Sequence, residues 1–264
     1  MLLEFDRVAF QLKGNDCYRP EVGTREGGNT MDVDYFLKRR VDAIVQFYEE
    51  ASSRFVETMG KIEKEEPPFE PVYAEDGEPQ FLDEWLQQSY SLDLIGRSAI
   101  SNLSNTLKIY FETWSKLLWK NPQACREAAP ELFKRSFVRG YVACFAEVTG
   151  LDLVNCAADI DVIEQIILAR NLDGHAGSLT SEAIRHNKST LTKFPVPLFT
   201  DPNDMYWPRS NIENDPFGFG GPALHVSAHA FRHAAEQVRV LSNWLEEPLR
   251  KFKYGGGRTQ STDE

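Results

Sequence analysis

The segment 82–119 constrains the fold more than any other. Leu103, Leu107, Tyr110, Trp114 and Leu117 recur every three or four residues. That spacing gathers side chains on one face of an α-helix, whereas a strand needs a period of two. Small polar residues in "SAISNLSN" permit another helix to approach closely. The same periodicity predicts a helix over 31–62, through Leu37, Val41, Ile44, Tyr48, Phe55, Met59 and Ile62, with charges filling most of the other face. A third helix is expected over 122–148, with Pro122 in its first turn, a bend at Pro130 and an end at Thr149-Gly150. A fourth starts at Asp159, an N-cap residue, and buries Ile160, Ile163, Ile166 and Ile167. A last helix is expected over 222–247, lined by Phe231, Ala234, Val238, Leu241 and Leu245. Trp85, Trp114 and Trp119 are expected in the core or at an interface. The reading is an all-α bundle of about five helices. Looser alternation at Leu3, Phe5, Val8, Phe10 and Leu12 adds a small N-terminal β element.

Composition bounds the function classes. The chain has 264 residues, and 40 acidic against 29 basic residues give a formal net charge of −11. A sequence-independent nucleic-acid coat is disfavoured, because phosphate binding needs a basic surface, but a local basic pocket is not. None of Cys17, Cys125, Cys144 and Cys156 forms a C-x-x-C pair, so a reduced, cytoplasmic protein is expected. The charged N-terminus "MLLEFDRVAFQ" has no signal-peptide core. No run approaches the ~18 apolar residues of a membrane span, so no membrane partner is expected. The linear partition is 1–63 (strand, loop and long helix), 64–80 (a linker with four prolines and a glycine) and 81–252 (the helical core). A long aromatic-rich loop at 176–221 lies within that core, and 253–264 is a disordered tail.

The stretch "LARNLDGHAG" (168–177) admits two readings. In the first it merely closes a helix, with Gly174 in the left-handed position and Arg170 favourable near the C-terminal dipole. In the second, Arg170 and His175 form part of a phosphodiester-cleaving site. Cleavage of RNA by its own 2′-hydroxyl needs a base, an acid and positive charge on the developing phosphorane. Histidine serves as acid or base near neutral pH, and arginine grips two phosphate oxygens at once. Asn171 can orient histidine or phosphate through its amide. One copy offers one such His, so a two-fold dimer would supply two.

"ARNLDGHAG" resembles the motif of the HEPN (higher eukaryotes and prokaryotes nucleotide-binding) superfamily, an Arg followed by four to six residues and a His, often with Asn directly after the Arg. The apolar run "VIEQIILARN" before it and "HAGSLTSEAI" after it are similar in kind, as is the upstream helix "SNLSNTLKIYFETWSKLL". The resemblance covers about 85–190 and makes 81–252 an HEPN-like core. It implies a helical bundle, a homodimer and, in many members, metal-independent endoribonuclease activity. Such activity leaves 2′,3′-cyclic phosphate ends and often serves prokaryotic defence or toxin–antitoxin systems. The catalytic residues implied are Arg170, Asn171 and His175, with no metal or cofactor, RNA as partner, and an antitoxin or other protein as a further partner. Arg185, His186, Lys188 and Lys193 follow the motif as an expected RNA-binding path. The alternatives are a non-catalytic nucleotide- or RNA-binding or assembly module, and a helical scaffold with a coincidental motif.

Other constellations read more plainly. His225, His229 and His233 are expected as a polar stripe on the last helix, too extended to bind one zinc ion together. "GFGG" (218–221) lacks the Lys-Ser/Thr of a P-loop and reads as a helix lead-in. The clusters Lys38, Arg39, Arg40 and Lys134, Arg135, Arg139 read as solvated faces.

Overall fold

The computed structural model describes residues 32–70, 80–174, 184–201 and 221–255. The expected N-terminal strand, His175 and the last residues of the tail lie outside them. Eight α-helices occur among the described residues: α1 (Val33–Glu63), α2 (Leu82–Leu118), α3 (Ala124–Ala128), α4 (Pro130–Arg135), α5 (Phe137–Thr149), α6 (Ile160–Gly174), α7 (Lys188–Lys193) and α8 (Ala228–Tyr254). The protein is all-α, and extended pairing among the described residues is confined to two isolated bridges. Among those residues no helix is long and apolar enough to cross a membrane.

Several boundaries differ from expectation, each for a local reason. The expected helix 122–148 is three helices. Pro130 starts α4, and Ser136 is extended, its hydroxyl accepting from the N–H of Arg139 as the cap of α5. Gly150 ends α5 at φ 71°, in the left-handed region that favours glycine. Asp159 caps α6 as expected, its carboxylate accepting from the N–H groups of Asp161 and Val162. Gly174 stays helical and does not take the left-handed position. The expected loop 176–221 contains α7, capped by the side chain of Asn187. The last helix starts at Ala228, not at Pro222, and runs to Tyr254, into the expected tail.

The chain divides into two compact units whose limits fall inside α1, α2, α6 and α8, not at the expected linker. Among the described residues, unit 1 comprises 32–40, 105–164 and 236–255. Its core is aromatic. Phe111 stacks on Tyr141 at 5.2 Å between centroids, Trp119 stacks on Phe145, and Phe133 and Phe137 meet Tyr141 edge-on. Gly140 lets α5 accept the Phe133 ring, because a Cβ there would stand 2.8 Å from it. A disulfide joins Cys125 to Cys144, which corrects the expectation of reduced thiols. Its partners are 19 residues apart in sequence, so only the packing of α3 on α5 brings them together. Arg139 is also corrected. It is not part of a solvated face but is largely buried, pairing with Asp161 and with the buried Glu164 at 3.3 Å.

A second acidic group is buried in unit 1. Glu246 on α8 is 8% exposed. Burial first, then Asp34 of α1 and Asp32 just before it, push its carboxyl up to about 7.

Among the described residues, unit 2 comprises 41–70, 80–104, 165–174, 184–201 and 221–235. Val41, Ile100, Leu103, Ile166, Ala169, Phe199, Leu224 and Phe231 are buried in it. Tyr48 packs its ring on Phe231 and donates its hydroxyl to the carbonyl of Val226 at 2.8 Å.

Two predictions follow from the buried charges. Replacing Arg139 by Met should leave Glu164 buried without its guanidinium partner and lower stability by about 3–5 kcal/mol, measured by urea unfolding. Glu246 keeps its proton in the fold up to about pH 7 but loses it near 4.5 when unfolded. The folded value is the higher one, so stability falls as pH rises from about 4.5 to about 7. Glu246→Gln should remove about 1–2 kcal/mol of that decline, allowing for solvent screening. Comparing the melting temperatures of both proteins at pH 5 and pH 8 tests this.

Candidate functional site

The motif helix is anchored before it is exposed. From Val162 to Ile166 every residue of α6 is buried. Gln165 is among them, and its side-chain carbonyl accepts the N–H of Leu198 at 2.7 Å. Five residues later Arg170 and Asn171 are exposed, and the Arg170 guanidinium donates to the Asn171 amide oxygen at 3.2 Å. That bond holds the cation at the helix end and uses the amide oxygen expected to orient a histidine or phosphate. Asp173, inside the motif, is met by Arg97 of α2 at 3.7 Å. Arg97 is only 12% exposed and its Nε is buried without a hydrogen-bond partner, so its charge is directed at the motif rather than at solvent.

The residues expected to line an RNA path separate into two groups. Lys188 and Lys193, at either end of α7, are exposed. Arg185 instead donates to the carbonyl of Gly221 at 2.6 Å and is half-buried. His186 is buried and its Nε2 lies 2.9 Å from the carbonyl of Phe199. Burial lowers its pKa, which favours the neutral imidazole donating Nε2–H to that carbonyl. His186 therefore holds backbone together and does not line a surface.

These bonds belong to an irregular clasp. Residues 222–225 lie extended between two other segments. The N–H of His186 donates to Pro222, that of Leu224 to Ile184, and that of His225 to Phe199. Because these groups pair in an extended geometry, the helix cannot begin at Pro222. It begins after Ser227, whose hydroxyl accepts from the N–H of Ala230. "GFGG" is accordingly no direct lead-in to α8. Its last residue, Gly221, lies against the carbonyl of His186, where a Cβ would come within 2.7 Å.

The expected histidine stripe is not one helical face. His225 belongs to the clasp, while only His229 and His233 stand on α8. Among the described residues no group of three or more His, Cys, Asp or Glu is placed to hold a metal ion. His225 forms a dyad with Asp93 of α2, with Nδ1 2.8 Å from the carboxylate oxygen. A carboxylate only accepts, so Nδ1 carries the hydrogen of this bond. The side chains are 28% and 37% exposed, which leaves the dyad within reach of solvent.

Gly96 makes the dyad possible. A Cβ at that position would stand 2.8 Å from the Cβ of Val226. Asp93, Gly96 and Arg97 thus occupy one turn of α2 that holds the clasp and the motif helix together. The sequence analysis missed all three, because Asp93 and Arg97 at i and i+4 look like a pair bonded to each other. The signal was the glycine between them in the interior of a long helix. No family model, curated protein or solved structure matches the chain.

Gly96→Ala should therefore destabilise the protein by about 1–3 kcal/mol through overpacking, although alanine is the better helix former by about 1 kcal/mol. Thermal melts of G96A, alone and combined with Val226→Gly, test this. The second change removes the colliding atom, so the double variant should lose less than the sum of the singles.

Proposed function

We propose that this protein is a metal-independent endoribonuclease of HEPN type, acting as a homodimer at the end of α6. The observation that supports this best is the exposed Arg170 guanidinium, bonded to Asn171, at a helix end whose one intervening acid, Asp173, is offset by Arg97. Arg170 would bind the phosphate and stabilise charge on the phosphorane. His175 would transfer the proton, and Asn171 would fix the guanidinium. Lys188 and Lys193 would contact flanking phosphates. Target RNA, defence role and antitoxin-type partner follow only from the family resemblance.

A second reading is a non-catalytic HEPN-like RNA-binding or assembly module. It is favoured by the apolar residues Leu82, Leu86, Tyr90 and Leu94, each 47–53% exposed and spaced every four residues on α2. Such a stripe suits a helix–helix contact, and it serves the homodimer of the first reading equally.

Cleavage of a labelled mixed-sequence RNA in EDTA separates the two. The native chain should produce 2′,3′-cyclic phosphate ends, and Arg170→Ala and His175→Ala should each reduce cutting by at least about 100-fold while melting normally. A folded native dimer that binds RNA but leaves it intact would select the assembly or binding module.

A further inference from the structure

Arg126 on α3 carries a charge that no acid answers. Among the described residues it forms no ion pair, and its Nε is buried without a hydrogen-bond partner. Its guanidinium carbon stands 5.8 Å from the ring centroid of Phe133, 5.7 Å from that of Phe137 and 6.0 Å from that of Tyr141. A guanidinium stacked squarely on one ring would come to about 3.5–4 Å from it. Here the cation is shared almost equally among three rings and stacked on none.

The rings are set as walls. Phe133 meets Tyr141 at 84° between planes and Phe137 meets it at 70°, with centroids 5.0 and 5.1 Å apart. Phe111 stacks on Tyr141 at 8° between planes and backs the cluster. Phe133, Phe137 and Arg126 are half-buried, whereas Tyr141 is buried. The rim is therefore open to solvent and the base is closed. The base is also fixed, since Gly140 seats the Phe133 ring and the Cys125–Cys144 disulfide ties the residue beside Arg126 to α5. Only the Arg126 side chain has to turn away for the rings to be uncovered.

The resident cation and the rings are imperfectly matched. Ring faces attract positive charge but offer no strong hydrogen-bond acceptor. A guanidinium has five N–H donors to satisfy, and the unpartnered Nε shows the shortfall. A quaternary ammonium group has no N–H, and its methyl shell can face three walls at once. A methyl carbon touches a ring at about 3.5–4 Å, and its nitrogen lies about 1.5 Å further out. Such a group would centre its charge close to where the guanidinium carbon stands.

We propose that Phe133, Phe137 and Tyr141 form a binding site for a quaternary ammonium group, and that Arg126 is its resident plug, displaced when the ligand enters. The group is carried either by a free amine such as choline or by the side chain of trimethyllysine. The site lies within unit 1 and does not depend on the ribonuclease reading.

The test is titration of the full-length protein with tetramethylammonium chloride, followed by the upfield ring-current shift of the methyl protons, with sodium chloride as the control for ionic strength. Arg126→Ala removes the plug and should tighten binding at least about 10-fold over the native chain. Phe137→Leu keeps an apolar side chain but removes a ring face. It should weaken binding at least about 5-fold, both in the native chain and beside Arg126→Ala. Each variant is checked by thermal melting. Should Arg126→Ala melt below the working temperature, the comparison of Phe137→Leu with the native chain carries the test alone. Choline and N-acetyl-trimethyllysine amide, titrated in the same way, tell a free amine from a modified lysine. A shift that is equal in the native, Arg126→Ala and Phe137→Leu proteins, or no shift in a folded Arg126→Ala protein, overturns the site and leaves Arg126 a structural cation on an aromatic cluster.

Discussion

The absence of a side chain at Gly96 is the constraint on which unit 2 depends. A helix interior ordinarily disfavours glycine by about 1 kcal/mol relative to alanine, and here the vacated space is filled by Val226. The close approach lets an extended segment lie against a helix with few hydrogen bonds of its own to join it. Two isolated bridges are too few to make a sheet. The clasp is instead bonded group by group, by Tyr48, Arg185, His186 and Gln165 as well as by its own backbone. Polar residues that look like surface or ligand-binding residues are therefore used to satisfy buried backbone.

Unit 1 solves a different problem, that of charge inside an aromatic core. Arg126 lies 5.7–6.0 Å from the centroids of Phe133, Phe137 and Tyr141, and its Nε is buried without a hydrogen-bond partner. The negative ring faces take the role that a carboxylate would otherwise fill. Glu164 has the opposite need and is met by Arg139. The Cys125–Cys144 disulfide fixes α3 to α5 beside these rings. Short helices such as α3 and α4 are marginal alone, since nucleation is costly and few backbone bonds reward it. Packing and the covalent link hold them.

The long helices were legible because their stabilising interactions are periodic in sequence. Leu37, Val41 and Tyr48 on α1, and Leu103, Leu107, Tyr110 and Trp114 on α2, are buried as their spacing requires. Asp159 was recognisable as a cap because capping is local. The clasp was not, because its partners are scattered: Ile184 pairs with Leu224, and Phe199 with His225. Arg139 was misread for a related reason. It shares a basic stretch with Lys134 and Arg135, and only the position of Glu164, 25 residues away, marks it as buried. At the candidate site, Arg170 and Asn171 were legible as a motif. Asp93 and Arg97 were not, since each bonds across space to a residue that no spacing rule connects to it.

The acidic balance of the chain bears on encounter more than on chemistry at the site. A net charge of −11 would slow the approach of any polyanion and make that rate sensitive to salt. Across about 8–10 Å of physiological electrolyte, however, distant surface charges are largely screened. What a phosphate meets at contact is set by its immediate neighbours. At the end of α6 these include an exposed guanidinium and a carboxylate already engaged by a largely buried guanidinium. The one acid inside the motif is thus tied to a positive group. Arg97 thereby offsets the charge of Asp173 although little of its own side chain is exposed.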